Sequence, residues 1–295
     1  MKRKWLAIGI ILLFIGVAIA QSITFNVVKA SYDTNFVEVT TQACGIQGYG
    51  DTTVKLTGEQ YKDLEEYLVE FRAKLNQTSS REEAIPIFKE AVVELDGYGL
   101  LPRGMSVERA QKLVTRLYQN QIIMRRLKTL LPHYVFTQED DGNIFCLIAG
   151  RTTHTYFENI GIVFLNRIER TTDNVIFFGL SLYLGIFLTF LCWMNPLAVV
   201  NRISLGIDYG PTLASGWVTT FGLLGTKTFQ GDMRGSLSME GTSHCWGGPD
   251  GYRETKYPAV VGFIGIKIGV GVDFYPGREF LYIGSALWAD ITTSD

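Results

Sequence analysis

The sequence predicts a membrane-attached α+β protein, and three observations predict it. A run without a single charge extends from Asn174 to Asn201, with VIFFGLSLYLGIFLTFLCWM (175–194) at its centre. A second apolar stretch, Trp5 to Ala20, opens the chain behind Lys2, Arg3 and Lys4. Elsewhere the apolar spacing is helical at first and strand-like later. A helix of about 20 apolar residues crosses a bilayer's hydrocarbon. The expected order is therefore a signal or anchor helix (1–20), a three-helix cluster packed on short strands (21–174), a central transmembrane helix (175–197), and a Gly- and aromatic-rich antiparallel sheet or sandwich (198–295).

The basic start, the apolar stretch and Ala18-Ile19-Ala20 before Gln21 fit a cleaved signal, and the length of the stretch fits an uncleaved anchor equally well. Either reading sends the chain beyond Ala20 outside the cell. Arg167 and Arg170 before the central run and Arg202 after it are too small a bias to orient that run. Orientation then rests on the first stretch: 21–174 extracytoplasmic, and 198–295 cytoplasmic if the central run spans.

Charge narrows the partners. The chain carries 27 basic and 29 acidic side chains. Neither part has the positive excess that phosphate backbones demand, so nucleic acid is excluded as a partner. The lipid bilayer is the expected one, with other envelope proteins or glycans beside it.

Each element has its own signal. Ile23, Phe25 and Val27 alternate as a strand, and GIQGYGD (45–51) is turn-rich. Thr57 and Gln60 form a capping box, in which each side chain satisfies a free N–H at a helix start. Tyr61, Leu64, Leu68, Phe71 and Leu75 then make one apolar stripe, predicting a helix near 58–75. Ser80 and Glu83 repeat the cap before Ala84, Phe88, Ala91 and Leu95, a helix near 81–96 ended by Gly97 and Gly99; Pro86 lies close to its start. Ser106 caps a third stripe through Ala110, Leu113, Leu117, Met124, Leu127 and Leu131, near 107–131. The stretches 143–149 and 160–166 are apolar enough for buried strands. Ile264, Ile266, Ile268, Val270 and Val272 alternate strictly, a strand with one buried face; 217–229 and 279–291 are its expected partners.

No catalytic constellation is visible, and no cofactor or metal is expected. Cys44 and Cys146 fall in the part read as external, where a disulfide persists; two separate buried thiols are the alternative. Cys192 reads as a small hydrophobe. His244-Cys245 has no second ligand pair for zinc, and adjacent residues on a strand point to opposite faces. The acidic pairs Glu65-Glu66, Glu82-Glu83 and Asp140-Asp141 read as solvated faces or caps, and His133 as a surface histidine. Asn76-Gln77-Thr78 is a glycosylation sequon between two predicted helices.

The stretch LNQTSSREEAIPIFKEAVVELDGYGLLPRGMSVERAQKLV (75–114), with FCLIAGRTT (145–153), TFGLLGTKTFQG (220–231), GFIGIKI (262–268) and YIGSALW (282–288), resembles a group of uncharacterised archaeal membrane-anchored or secreted proteins. The resemblance implies an archaeal cell-envelope setting and no particular activity. The expected function is that of a non-enzymatic envelope protein with an interaction or structural role. The alternative is a membrane-bound hydrolase or transferase, whose site could assemble from Asp141, Arg151 and His154 near strand ends.

Overall fold

The structure is a computed structural model, and it describes residues 36–46, 48–116, 142–159, 183, 201–207, 213–237, 241–244, 253–270 and 279–294. These belong to one compact unit, Phe36–Asp295. The strands are β1 (Phe36–Cys44), β2 (Thr52–Thr57), β3 (Asn143–Thr152), β4 (Thr155–Asn159), β5 (Asn201–Ile207), β6 (Ala214–Gly222), β7 (Gly225–Gly235), β8 (Gly241–His244), β9 (Arg253–Val261), β10 (Ile264–Val270), β11 (Phe280–Ala289) and β12 (Ile291–Thr293). The helices are α1 (Gly58–Asn76), α2 (Arg81–Gly97) and α3 (Val107–Val114).

All three caps form as their side chains dictate. Thr57 and Gln60 close the capping box of α1, and the Ser80 and Ser106 hydroxyls accept from the N–H groups of Glu83 and Arg109. The Glu83 carboxylate reaches back to the N–H of Ser79, 3.2 Å away. The apolar stripes bury Leu64, Phe71 and Leu75 on α1, and Ala84, Phe88, Ala91 and Leu95 on α2, while Leu68 is half-buried. Phe88 sits edge-on to Phe71 and to Phe221 of β6, which fixes α1 and α2 on the sheet. The described part of the third predicted helix ends at Val114, and residues 117–141 lie outside the described residues.

The strands form one sheet in the order β12-β7-β6-β3-β11-β10-β1-β2, with β9 on the end of β11 and β5, β4 and β8 joined through β9. Every pairing is antiparallel. Strand alternation separates two cores. Leu147 and Ala149 of β3, Ile264, Ile266 and Ile268 of β10, and Leu281 and Ile283 of β11 meet the helices. Cys146, Ile148, Tyr282 and Ala286 face the other way, against Ile203 and Leu205 of β5 and Ala259 and Val260 of β9. The β9 strand reaches that position because the chain bends at Gly262. This residue has φ +71°, and a Cβ there would lie 2.6 Å from Leu287. Before the bend the chain pairs with β5, and after it with β1.

This connectivity corrects the expected architecture. Strands from before the central run (β1–β4) alternate in space with strands from after it (β5–β12), so the C-terminal strands do not form a sheet of their own. Two parts on opposite sides of a membrane could not share these ladders. No helix among the described residues is long and apolar enough to cross a membrane. The expected central helix, 175–197, lies outside the described residues except for Tyr183, which is helical and exposed. Arg202, read as a charge flanking that run, is fully buried at the start of β5. The expected strands at 22–28 and 160–166 and the whole stretch 1–20 also lie outside the described residues. The region 217–229, read as one strand, is a hairpin turning between Gly222 and Gly225.

Candidate functional site

Of the two described residues of the anticipated trio, Arg151 and His154, Arg151 gathers charged partners. It lies near the end of β3, with the parity of Leu147 and Ala149, and so projects towards the helices. Its Nη1 donates to Glu65 Oε2 of α1 at 2.5 Å. Its Nε and Nη2 donate to the two carboxylate oxygens of Glu279, at 2.6 and 3.2 Å. Tyr61, one turn before Glu65, lies beside the same Glu65 carboxylate. On α1, residues four apart share a face, which is why Tyr61 and Glu65 reach one point.

The electrostatics follow from partial burial among opposite charges. Burial acts to raise the Glu65 pKa, but the hydrogen bond from Arg151 and the neighbouring Tyr61 hydroxyl outweigh it and hold the carboxyl below its ordinary value. For Arg151 burial works against the charge, and the two carboxylates overcome it, so its pKa rises. Burial, then the neighbouring Glu65 carboxylate, pushes the Tyr61 hydroxyl up to about 12. Beside these groups, between α1 and strands β1, β10 and β11, is a cavity of about 20 Å³ walled by Val39, Leu64, Leu68 and Ile268. That is room for a single water molecule. The cluster is an ion-pair clamp with every carboxylate answered by the guanidinium, holding α1 to β3 and to the start of β11.

His154 does not join it. It sits in the β3–β4 turn at φ +48°, with Nδ1 3.3 Å from the Thr153 hydroxyl and its carbonyl accepting from Gly206. Asp141, Asp140, His133 and Cys245 lie outside the described residues, as do Cys192 and the side chain of His244. Among the described residues no group of three or more His, Cys, Asp or Glu could hold a metal ion.

The expected Cys44–Cys146 disulfide is not formed; both thiols are free. The register gives the reason. Cys44 pairs with Gly265, Gly265 with Gly284, and Gly284 with Ile148, so three ladder steps separate the two strands that carry the cysteines. At about 4.8 Å per step the two Cα atoms are at least about 14 Å apart, roughly twice the limit for a bridge. The alternative reading, two separate thiols, is what the fold has. Burial is the main effect that lifts their pKa values, to about 11 for Cys44 and about 12 for Cys146, so neither is a thiolate nucleophile at neutral pH.

Asn76, the sequon residue, is exposed at the end of α1, while the Thr78 hydroxyl donates to the Lys74 carbonyl at 2.8 Å. A further charged residue that sequence reasoning passed over is Lys267 of β10. Its Nζ lies 4.7 Å from the ring centre of Phe157 and 5.4 Å from that of Phe280, and burial draws its pKa down. Glu65 and Glu279 were also missed as partners. The available signal was Arg151 itself, a cation on the apolar parity of NIFCLIAGRT, which demands an acid from whatever covers that face.

Comparison with known proteins finds no match among family models, curated proteins or solved structures.

Proposed function

We propose that the chain is a non-enzymatic, membrane-attached protein of the cell envelope, whose α+β unit is a module for contact with other envelope proteins or glycans. The observation that supports this reading is the fate of Arg151. The residue best placed to serve a reaction is instead bound on three nitrogens by Glu65 and Glu279. Its neighbouring cavity has room for water rather than for a substrate. Attachment to lipid is supported by the uncharged stretch 5–20 behind Lys2, Arg3 and Lys4.

Two measurements test the proposal together. The full-length protein should stay with the membrane pellet through carbonate extraction, and release into the supernatant would refute attachment. Purified in detergent, it should turn over no chromogenic ester, phosphate or glycoside above buffer. Turnover that vanished in Arg151→Met while the circular dichroism spectrum persisted would overturn the non-enzymatic reading.

A further inference from the structure

Strand β4 pairs antiparallel with β5 over its whole length, Thr155 opposite Leu205 and Asn159 opposite Asn201. Asn159 and Asn201, the residues on either side of 160–200, therefore stand at one rung of a ladder, about 5 Å apart. A chain that crossed a bilayer once between those residues would return about 30 Å away.

We infer that residues 160–200 are an insertion into a closed β-hairpin, and that residues 36–159 and 201–294 lie on the same side of any membrane the protein meets. The sheet reinforces this at four separate ladders. The earlier strand β3 lies between the later strands β6 and β11 and pairs with both. The earlier strand β1 pairs with the later β10 over six residue pairs, Val39 to Cys44. The β4–β5 ladder is the fourth. Placing the two parts on opposite sides would strip the hydrogen bonds from all four, leaving the backbone groups of these strands unpaired. Whatever contact the uncharged stretch makes with lipid, the chain crosses an even number of times there or not at all. The module then offers its whole surface to one compartment, which limits its envelope partners to that side. The same-side placement rests on the membrane attachment proposed above; the closed hairpin stands on the register alone.

The test has two arms. In the first, residues 160–200 are replaced by Asn-Gly, a dipeptide that favours the type I′ turn joining paired antiparallel strands. The shortened chain should keep the strand and helix content of the full chain and a cooperative thermal transition. Loss of the cooperative transition would show that the stretch is an integral part of the core and overturn the insertion. In the second arm, Val69→Cys on α1 and Gln230→Cys on β7, both at exposed positions, are each placed in the full-length chain. Intact cells are treated with a membrane-impermeant maleimide, and labelling is read at each peptide by mass spectrometry. The two sites should label to the same extent, within about twofold, before and after lysis. Labelling of one site and protection of the other until lysis would overturn the same-side topology. Equal labelling of a protein that never pellets with membranes would refute the attachment and leave the hairpin arm to decide the insertion.

Discussion

Replacing Arg151 with Met should destabilise the fold by an amount that the burial of the clamp sets. An exposed ion pair contributes about 0.2–1 kcal/mol, and breaking a fully buried pair costs about 3–5 kcal/mol. The side chains of Arg151 and Glu65 retain 22% and 30% of their exposure, and that of Glu279 retains 48%. Arg151→Met keeps most of the side-chain volume but leaves the Glu65 carboxylate without its cation, so about 1.5–3 kcal/mol is expected after allowing for solvent screening. Urea unfolding followed by circular dichroism measures it, with an unchanged slope showing that the folded state is intact. A double-mutant cycle divides the clamp. Coupling of Arg151 to Glu65 should be about 1–2 kcal/mol, and to the more exposed Glu279 below about 1 kcal/mol despite its bidentate geometry.

The same clamp sets an acid limit. The Glu65 pKa in the folded chain lies below its ordinary value, so its contribution is complete above the unfolded value of about 4.3. It is lost as pH falls through the lower folded value. Stability should therefore drop on acidification below about pH 4.5, and Glu65→Gln should shallow that slope. Two results would refute the reasoning: a cost for Arg151→Met below about 0.5 kcal/mol, the range of an ordinary surface change, or a stronger coupling to Glu279 than to Glu65.

Further outcomes follow from individual contacts. A Cβ at Gly150 would lie 2.6 Å from the ring of Tyr282, its cross-strand partner, so Gly150→Ala should cost about 1–3 kcal/mol as overpacking; Tyr282→Leu in the same chain should restore part of that in a thermal melt. Asn143→Ala removes an amide that bonds Thr220, Gly225, Ile144 and Leu224. Its loss should cost about 2–4 kcal/mol and raise hydrogen exchange across the β6–β7 turn first. Phe88→Ala empties a fully buried site between Phe71 and Phe221 and should cost about 3–5 kcal/mol in urea unfolding. Asn76 should carry a glycan on protein from a host that modifies such sequons outside the cell, detectable by peptide mass spectrometry and absent in Asn76→Gln.

Local features of the fold were legible in the sequence because their causes are local. The caps at Thr57, Ser80 and Ser106 and the stripes that follow them need only neighbours within a turn; the structure places the three caps and the first two stripes where the spacing put them, and of the third stripe it describes Ala110 and Leu113. Period two between Ile264 and Ile268 identified β10 and the face it turns to the helices for the same reason, but the opposite face is covered too and Val270, expected buried, is exposed. Strand partnership was not legible, because it depends on segments far apart in the chain. Nothing near Asn143–Thr152 reveals that its neighbours are Ala214–Gly222 and Phe280–Ala289. A stretch long enough to span a bilayer divides a chain only if the folded segments on either side of it are held apart, and here Asn159 before it and Asn201 at its end share a rung. The clamp failed to show for a related reason. Glu65 and Glu66 are adjacent and identical, yet about 100° of helical rotation sends one to Arg151 and the other to solvent.

The interleaving of early and late strands also constrains how the unit can form. The β1–β2 hairpin and the three helices are contiguous between Phe36 and Val114 and can assemble early, since their contacts close short loops. They cannot complete a core alone. The face they cover is floored by β3, β10 and β11, and the last of these is made only near the end of the chain. Strand β3 has neither neighbour when it is made: one flank needs β6 and the other β11, both beyond the uncharged stretch. Until then its backbone groups and its apolar residues on both faces are unpaired, which is the condition that favours aggregation. The β4–β5 rung eases the problem. Because Asn159 and Asn201 close on one another, residues 160–200 add nothing to the distance that β3 and β6 must bridge once that rung has formed. Closing it first converts a distant pairing into a near one, and the register of the rest follows from it.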